Sequence, residues 1–69
     1  MPKGQGSSIL WRRVLIGAQG TRNGKIVCHV WMGKDGLWRG SATGIKEFFG
    51  PFEREADARE ATVNGANNA

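Results

Sequence analysis

A single cysteine, Cys28, and a single histidine, His29, stand among 69 residues; tyrosine is absent and prolines number two. One thiol forms no internal disulfide, so no covalent staple is expected, and a lone cysteine suits a reducing, cytoplasmic setting. One Cys and one His fall short of the three or four ligands of a zinc site, so neither a metal nor a cofactor is expected. Cys28 and His29 are also adjacent, and neighbouring residues of a strand point to opposite faces, which argues against a nucleophile-base pair. Carboxylates are scarce where chemistry would want them: Asp35 sits in a turn motif, Glu47 stands apart, and the other four crowd residues 53–60. The glycines at 17 and 20 fit no phosphate loop, because no Gly-Lys-Ser/Thr follows them. No catalytic residue is assigned and no enzyme is expected. Long apolar runs are missing too. Nothing approaches the ~18–20 residues that cross a bilayer, and no apolar stretch of the signal-peptide kind follows Met1-Pro2-Lys3. A membrane partner is not expected.

What the chain has in plenty is glycine, 11 residues in all. Before Pro51 they cut the sequence into pieces too short for an ordinary helix, since an interior Gly costs about 1 kcal/mol relative to Ala. The pieces between them are β-branched and aromatic, as strands prefer. Residues 9–16 and 25–32 read as two strands, residues 37–43 as a thinner third, and residues 45–49 as an extension or a short fourth. The connectors 19–24 and 33–36 contain Asn23-Gly24 and Asp35-Gly36, the residue pairs that supply tight hairpin turns. After Pro51 the character changes. Residues 53–63 lack Gly and Pro and carry acid in the first turn, which favours a helix, and Asn64-Gly65 reads as its stop. The expected fold is α+β: a small antiparallel sheet of three or four strands packed on one C-terminal helix, in the order β-β-β-α. Residues 1–8 read as a flexible leader, 9–65 as the single domain and 66–69 as a frayed tail.

Charge divides along the same line. Ten Lys and Arg against six Asp and Glu give a net +4 and a pI near 10.0. Residues 1–52 hold eight basic and two acidic side chains, a net +6, while residues 53–69 hold two against four, a net −2. A polyanion is drawn to such strands and pushed from such a helix.

Strand alternation then separates the faces. Ile26, Cys28, Val30 and Met32 form an apolar set expected to face the helix, joined in the core by Phe49 and Phe52. Lys25, Val27, His29 and Trp31 are expected on the open face. Leu37, Arg39, Ser41 and Thr43 suit solvent better than Trp38, Gly40 and Ala42. The first strand leaves two registers open, with Arg12 on one face and Arg13 on the other. In the helix, one stripe of Ala58, Ala61 and Gly65 competes with another of Phe52, Ala56 and Val63.

The segment Glu47-Phe48-Phe49-Gly50-Pro51-Phe52, followed by Ala58-Arg59-Glu60-Ala61, resembles the last strand, Gly-x-Phe turn and alanine-rich helix of AP2-type DNA-binding domains. It is similar also to the amino-terminal arm-binding domains of phage-type integrases. The resemblance covers about the last third of the chain and the general order of strands. It implies a three-stranded sheet on one helix that enters the DNA major groove, with Arg12 or Arg13, Lys25 and Trp31 facing the duplex; Arg39 falls where the pattern departs. From residues and resemblance together, a small nucleic-acid-binding module for duplex DNA is expected. Its site would comprise Arg12, Arg13, Arg22, Lys25, His29, Trp31 and Arg39. By analogy such a domain suits an accessory protein of a mobile element. The alternative is a protein-interaction module or homodimer that uses exposed aromatics or a strand edge, while in the simplest case Trp31 only packs over long Arg stems.

Overall fold

A computed structural model describes residues 9–68. Five strands run in chain order: β1 (Leu10–Arg13), β2 (Ala18–Arg22), β3 (Lys25–Met32), β4 (Trp38–Ala42) and β5 (Phe49–Phe52). They form one antiparallel meander, β1-β2-β3-β4-β5, and the helix α1 (Glu55–Asn68) lies across β3, β4 and β5. The α+β class and the single C-terminal helix are as expected, but the sheet has five strands rather than three or four. The leader expected over residues 1–8 lies outside the described residues.

The extra strand, residues 18–22, takes up most of the stretch 19–24 expected as a connector. Gly17, at φ +83°, ends a tight loop closed by the Val14 amide donating to the Gly17 carbonyl at 3.1 Å. The stretch expected as one strand over residues 9–16 therefore becomes β1 and a turn. β2, Ala-Gln-Gly-Thr-Arg, has weak intrinsic strand preference and is held by ladders on both sides. The last strand also begins later than the expected 45–49, at Phe49.

Pairing register explains the core. Directly opposed residues share a face, which gives three rows beneath the helix: Trp11, Gly20, Cys28, Ala42; then Arg13, Ala18, Val30, Gly40, Phe49; then Met32, Trp38, Phe52. Ala18, Cys28, Val30, Ala42 and Ala58 are buried, with Trp11, Trp38 and Phe52 packed around them. Most of these side chains are small, and the helix meets them with small residues of its own. Ala58 and Thr62 are its buried positions. A Cβ on Gly40 would collide with the Thr62 methyl, and one on Gly65 would come within 2.5 Å of the Phe49 ring. The stripe is thus Ala58, Thr62 and Gly65, close to the first of the two expected. Gly65 is not the expected stop: it lies inside the helix, which continues through Ala66, Asn67 and Asn68.

Two expected core residues are outside. Ile26 is 51% exposed and Met32 52%. A bulge sets Gly20 and Thr21 against Cys28 and Ile26, which leaves Val27 as the extra residue and turns Ile26 onto the open side, opposite Thr21. Met32 ends its strand, where cover is thin. Phe49 and Phe52 are half-buried at the rim of the helix contact.

Gly17 and Gly24 form a matched pair for testing this packing, with φ of +83° and +82°. Nothing lies within 4 Å of a Cβ on residue 24, whereas one on residue 17 strikes the Val30 carbonyl oxygen and comes within 2.9 Å of the Trp31 Cα. Gly24→Ala is expected to cost about 1–2 kcal/mol, the left-handed strain alone. Gly17→Ala should cost more than about 3 kcal/mol, because backbone cannot yield as a side-chain tip does. Urea melts of the two variants measure the difference, and equal losses would mean that the 14–17 loop does not sit on β3.

Candidate nucleic-acid interface

The sheet face away from α1 carries two rows from the same ladders: Arg12, Gln19, His29, Ser41, and Trp31 beside Arg39. The row at one end, Leu10, Thr21 and Ile26, borders a shallow concavity of about 400 Å³ with Arg12. His29 and Trp31, two residues apart on β3, bring their rings to 5.3 Å, and Phe48 from the β4–β5 loop stands edge-on to Trp31 at 5.4 Å and 87°. His29 Nε2 lies 2.9 Å from the Ile16 carbonyl oxygen, which draws the 14–17 loop over this face. The loop presents Leu15 and Ile16 to solvent, Leu15 at 99% exposure, and Phe48 is 68% exposed. Three rings therefore gather on the open face, with exposed aliphatic side chains on the 14–17 loop and in the Leu10 row.

Of the seven expected site residues, four share this face: Arg12, His29, Trp31 and Arg39. The other three do not. Arg13 lies in a row beneath the helix, and its guanidinium meets the Glu55 carboxylate at 3.3 Å. That decides the register left open for the first strand: Arg13 goes with Trp11 toward α1, and Arg12 faces out. Arg22 reaches Asn67 in the last helical turn, where no helix residue is basic and a cation from the sheet complements the helix dipole. Lys25 opposes Arg22 rather than continuing the His29 row. The bulge that frees Ile26 thereby moves Lys25 to the helix side.

Arg39 is on the open face but engaged. Its Nη1 and Nη2 donate to the two Asp35 oxygens at 3.1 and 2.9 Å, while Asp35 also accepts the Leu37 amide at 3.1 Å. The Arg39 fork holds the Asp35 carboxyl down to about 2. Phe48 and the 14–17 loop were not expected at the site. The only signal for Phe48 was its place in Phe48-Phe49, where strand alternation puts one ring under the helix and the other out.

The helix side is tied together electrostatically. Glu55 accepts from Arg59 Nε and Nη2 at 3.0 and 2.6 Å as well as from Arg13, and the Arg59 guanidinium lies 4.7 Å from the Trp11 ring centre. Burial alone would push the Glu55 carboxyl up, but Arg59 and Arg13 outweigh it and hold the group below its ordinary value. Burial pushes the Cys28 thiol up, against a hydrogen bond to Thr62. Cys28 and His29 thus lie on opposite faces. Among the described residues no three His, Cys, Asp or Glu side chains gather as metal ligands, and no helix is long and apolar enough to cross a membrane.

Compared with protein-family models, curated proteins and solved structures, the chain shows no significant match.

The Glu55 cluster sets a pH dependence. A carboxyl lowered in the folded state stabilises the fold fully above its ordinary value of 4.5 and loses that contribution as pH falls. Glu55→Gln should lower the melting temperature at neutral pH and flatten its fall on acidification through 4.5. A variant whose melting curve parallels the wild type at every pH would show that Arg13 and Arg59 gain nothing from Glu55.

Proposed function

We propose that this protein is a small nucleic-acid-binding module that uses the open sheet face. One observation carries the reading: Arg12 shares the open sheet face with three rings in series, His29, Trp31 and Phe48, while the acidic cluster of residues 53–60 lies on the other side. Glu53, Glu55, Asp57 and Glu60 lie in or just before the helix, while the open rows hold Arg12 and Arg39 beside His29, Trp31 and Phe48. Arg12 offers a cation to phosphate, and exposed rings offer surface to sugars and bases. The interface is narrower than the seven residues expected, because Arg13, Arg22 and Lys25 belong to the other side. Duplex DNA is the form implied by the resemblance to AP2-type domains. This reading assigns no catalytic residue.

A second reading rests on the apolar surface of the same face. Leu15 and Ile16 are exposed on the loop held by His29, and Phe48 is exposed against Trp31; apolar surface of this kind on so small a domain suits a protein partner or a second copy.

Salt separates the two readings. Nucleic-acid affinity should fall steeply as salt rises from about 50 to 200 mM, and Arg12→Ala should reduce the slope by about one unit. Arg13→Ala, which removes a cation already facing Glu55, should leave affinity within about twofold. Anisotropy titrations with labelled single-stranded and duplex oligonucleotides, run separately, measure both. Absence of binding to either at low salt, or equal losses from the two variants, removes the sheet-face reading and leaves the protein partner.

A further inference from the structure

Resting on the nucleic-acid reading, we infer that the His29-Trp31-Phe48 step receives unstacked bases, so that the ligand is a single strand rather than an intact duplex. Few side chains remain on this face to read a groove. Major-groove recognition by a sheet needs long donors and acceptors aimed at base edges, with Arg forked onto guanine as the strongest contact. Arg13, Arg22 and Lys25 leave this face, and both Arg39 terminal nitrogens are committed to Asp35. Arg12 and Gln19 are what remain of the long polar side chains in the two central rows.

Three aromatic side chains follow one another along the face at 5.3 and 5.4 Å, and the last pair is perpendicular, at 87°. Perpendicular rings make a step, in which a flat base stacks on one ring and sets its edge against the other. Phe48 is 68% exposed and so has ring surface to offer. In a duplex the faces of the bases are already stacked on their neighbours and cannot reach such a step. In a single strand they can, and every base has a π-face, so the contact tolerates sequence. Arg12, in the same row as His29, lies where a backbone phosphate of the strand would be neutralised.

The test uses the full chain, a fluorescein-labelled dT 12-mer and a 12-base-pair duplex, titrated at about 50 mM salt. The single strand should bind at least about tenfold tighter. Phe48→Ala should weaken it about 5- to 150-fold, the range for losing one base-aromatic stack. The same variant should leave duplex affinity unchanged. Circular dichroism melts check that Phe48→Ala folds, as its exposure leads one to expect. Phe48→Leu, which keeps bulk without a π-face, should lose as much as Phe48→Ala. A second readout needs no loss of binding: bases stacked here quench Trp31 emission, and Trp31→Phe should abolish the quenching, because Trp11 and Trp38 lie on the other face. Duplex binding as tight as single-strand binding, with Phe48→Ala harmless, overturns this inference and leaves the nucleic-acid reading standing. Single-strand binding that ignores Phe48→Ala and leaves Trp emission unquenched overturns it as well. If neither oligonucleotide binds, both fall together.

Discussion

The helix sits on the sheet through residues that have almost no side chain. Gly40 lies under the Thr62 methyl, Gly65 against the Phe49 ring, and Ala58 is fully buried with Ala18 and Val30. An approach this close leaves room for one ring, Phe49, only where Gly65 makes it, and the other aromatics of the buried side, Trp11, Trp38 and Phe52, stand around the contact. Tight contact between small groups gives good dispersion energy but removes little apolar area from water. A domain with so modest a core depends on its margins. The margins here are ionic: Arg13, Glu55, Arg59 and the Trp11 ring at the first helical turn, Arg22 at the last.

That margin has a consequence for the opposite face. Cations used to tie β1 and β2 to the helix are cations withdrawn from the open side, so a basic strand region does not become an equally basic surface. Arg39 is withdrawn in a different way, by its own turn, where the Asp35 carboxylate both orders the Leu37 amide and receives the guanidinium. What the open face retains is a short cationic row and a cluster of rings. Its chemistry is therefore weighted toward stacking over charge.

Much of this was legible from local pattern, and the misses have physical causes. The helix was visible because residues 53–63 contain neither Gly nor Pro, and the faces of β4 because alternation there is unbroken. Gly65 read as a stop because glycine usually ends helices; here it is retained inside one because the Phe49 ring needs the space, a tertiary requirement that no local rule contains. β2 was unreadable for the same reason: Gly20 lies opposite Trp11 and Cys28, and its lack of a side chain serves the packing while weakening the strand signal. The bulge at Val27 is the most instructive case. Alternation along residues 25–32 is regular on paper, yet one extra residue against β2 exchanges the faces of Ile26 and Lys25 while leaving Cys28, His29, Val30 and Trp31 where alternation puts them. The expected faces of Ile26 and Lys25 failed together because they rested on the same parity.

The two faces of the sheet differ in what their side chains touch. On the helix side almost every side chain is a packing or pairing element, and substitution there acts first on folding. On the open side Leu15, Ile16 and Phe48 are exposed, so they add little to the core while placing apolar surface in water beside Trp31. Scattered exposed hydrophobics need no explanation, but these are not scattered. The His29 contact to the Ile16 carbonyl draws the loop to the face, and the Trp31-Phe48 contact holds the second loop there. Two loops from opposite ends of the chain's β region thus converge on one β3 segment, each anchored by an aromatic ring of that segment. Convergence of this kind defines a surface with its own shape, and that shape is built on the one strand, β3, whose other face is fixed by Cys28 and Val30 under the helix. The open face therefore shares its central strand with the core, and the two loops form its border.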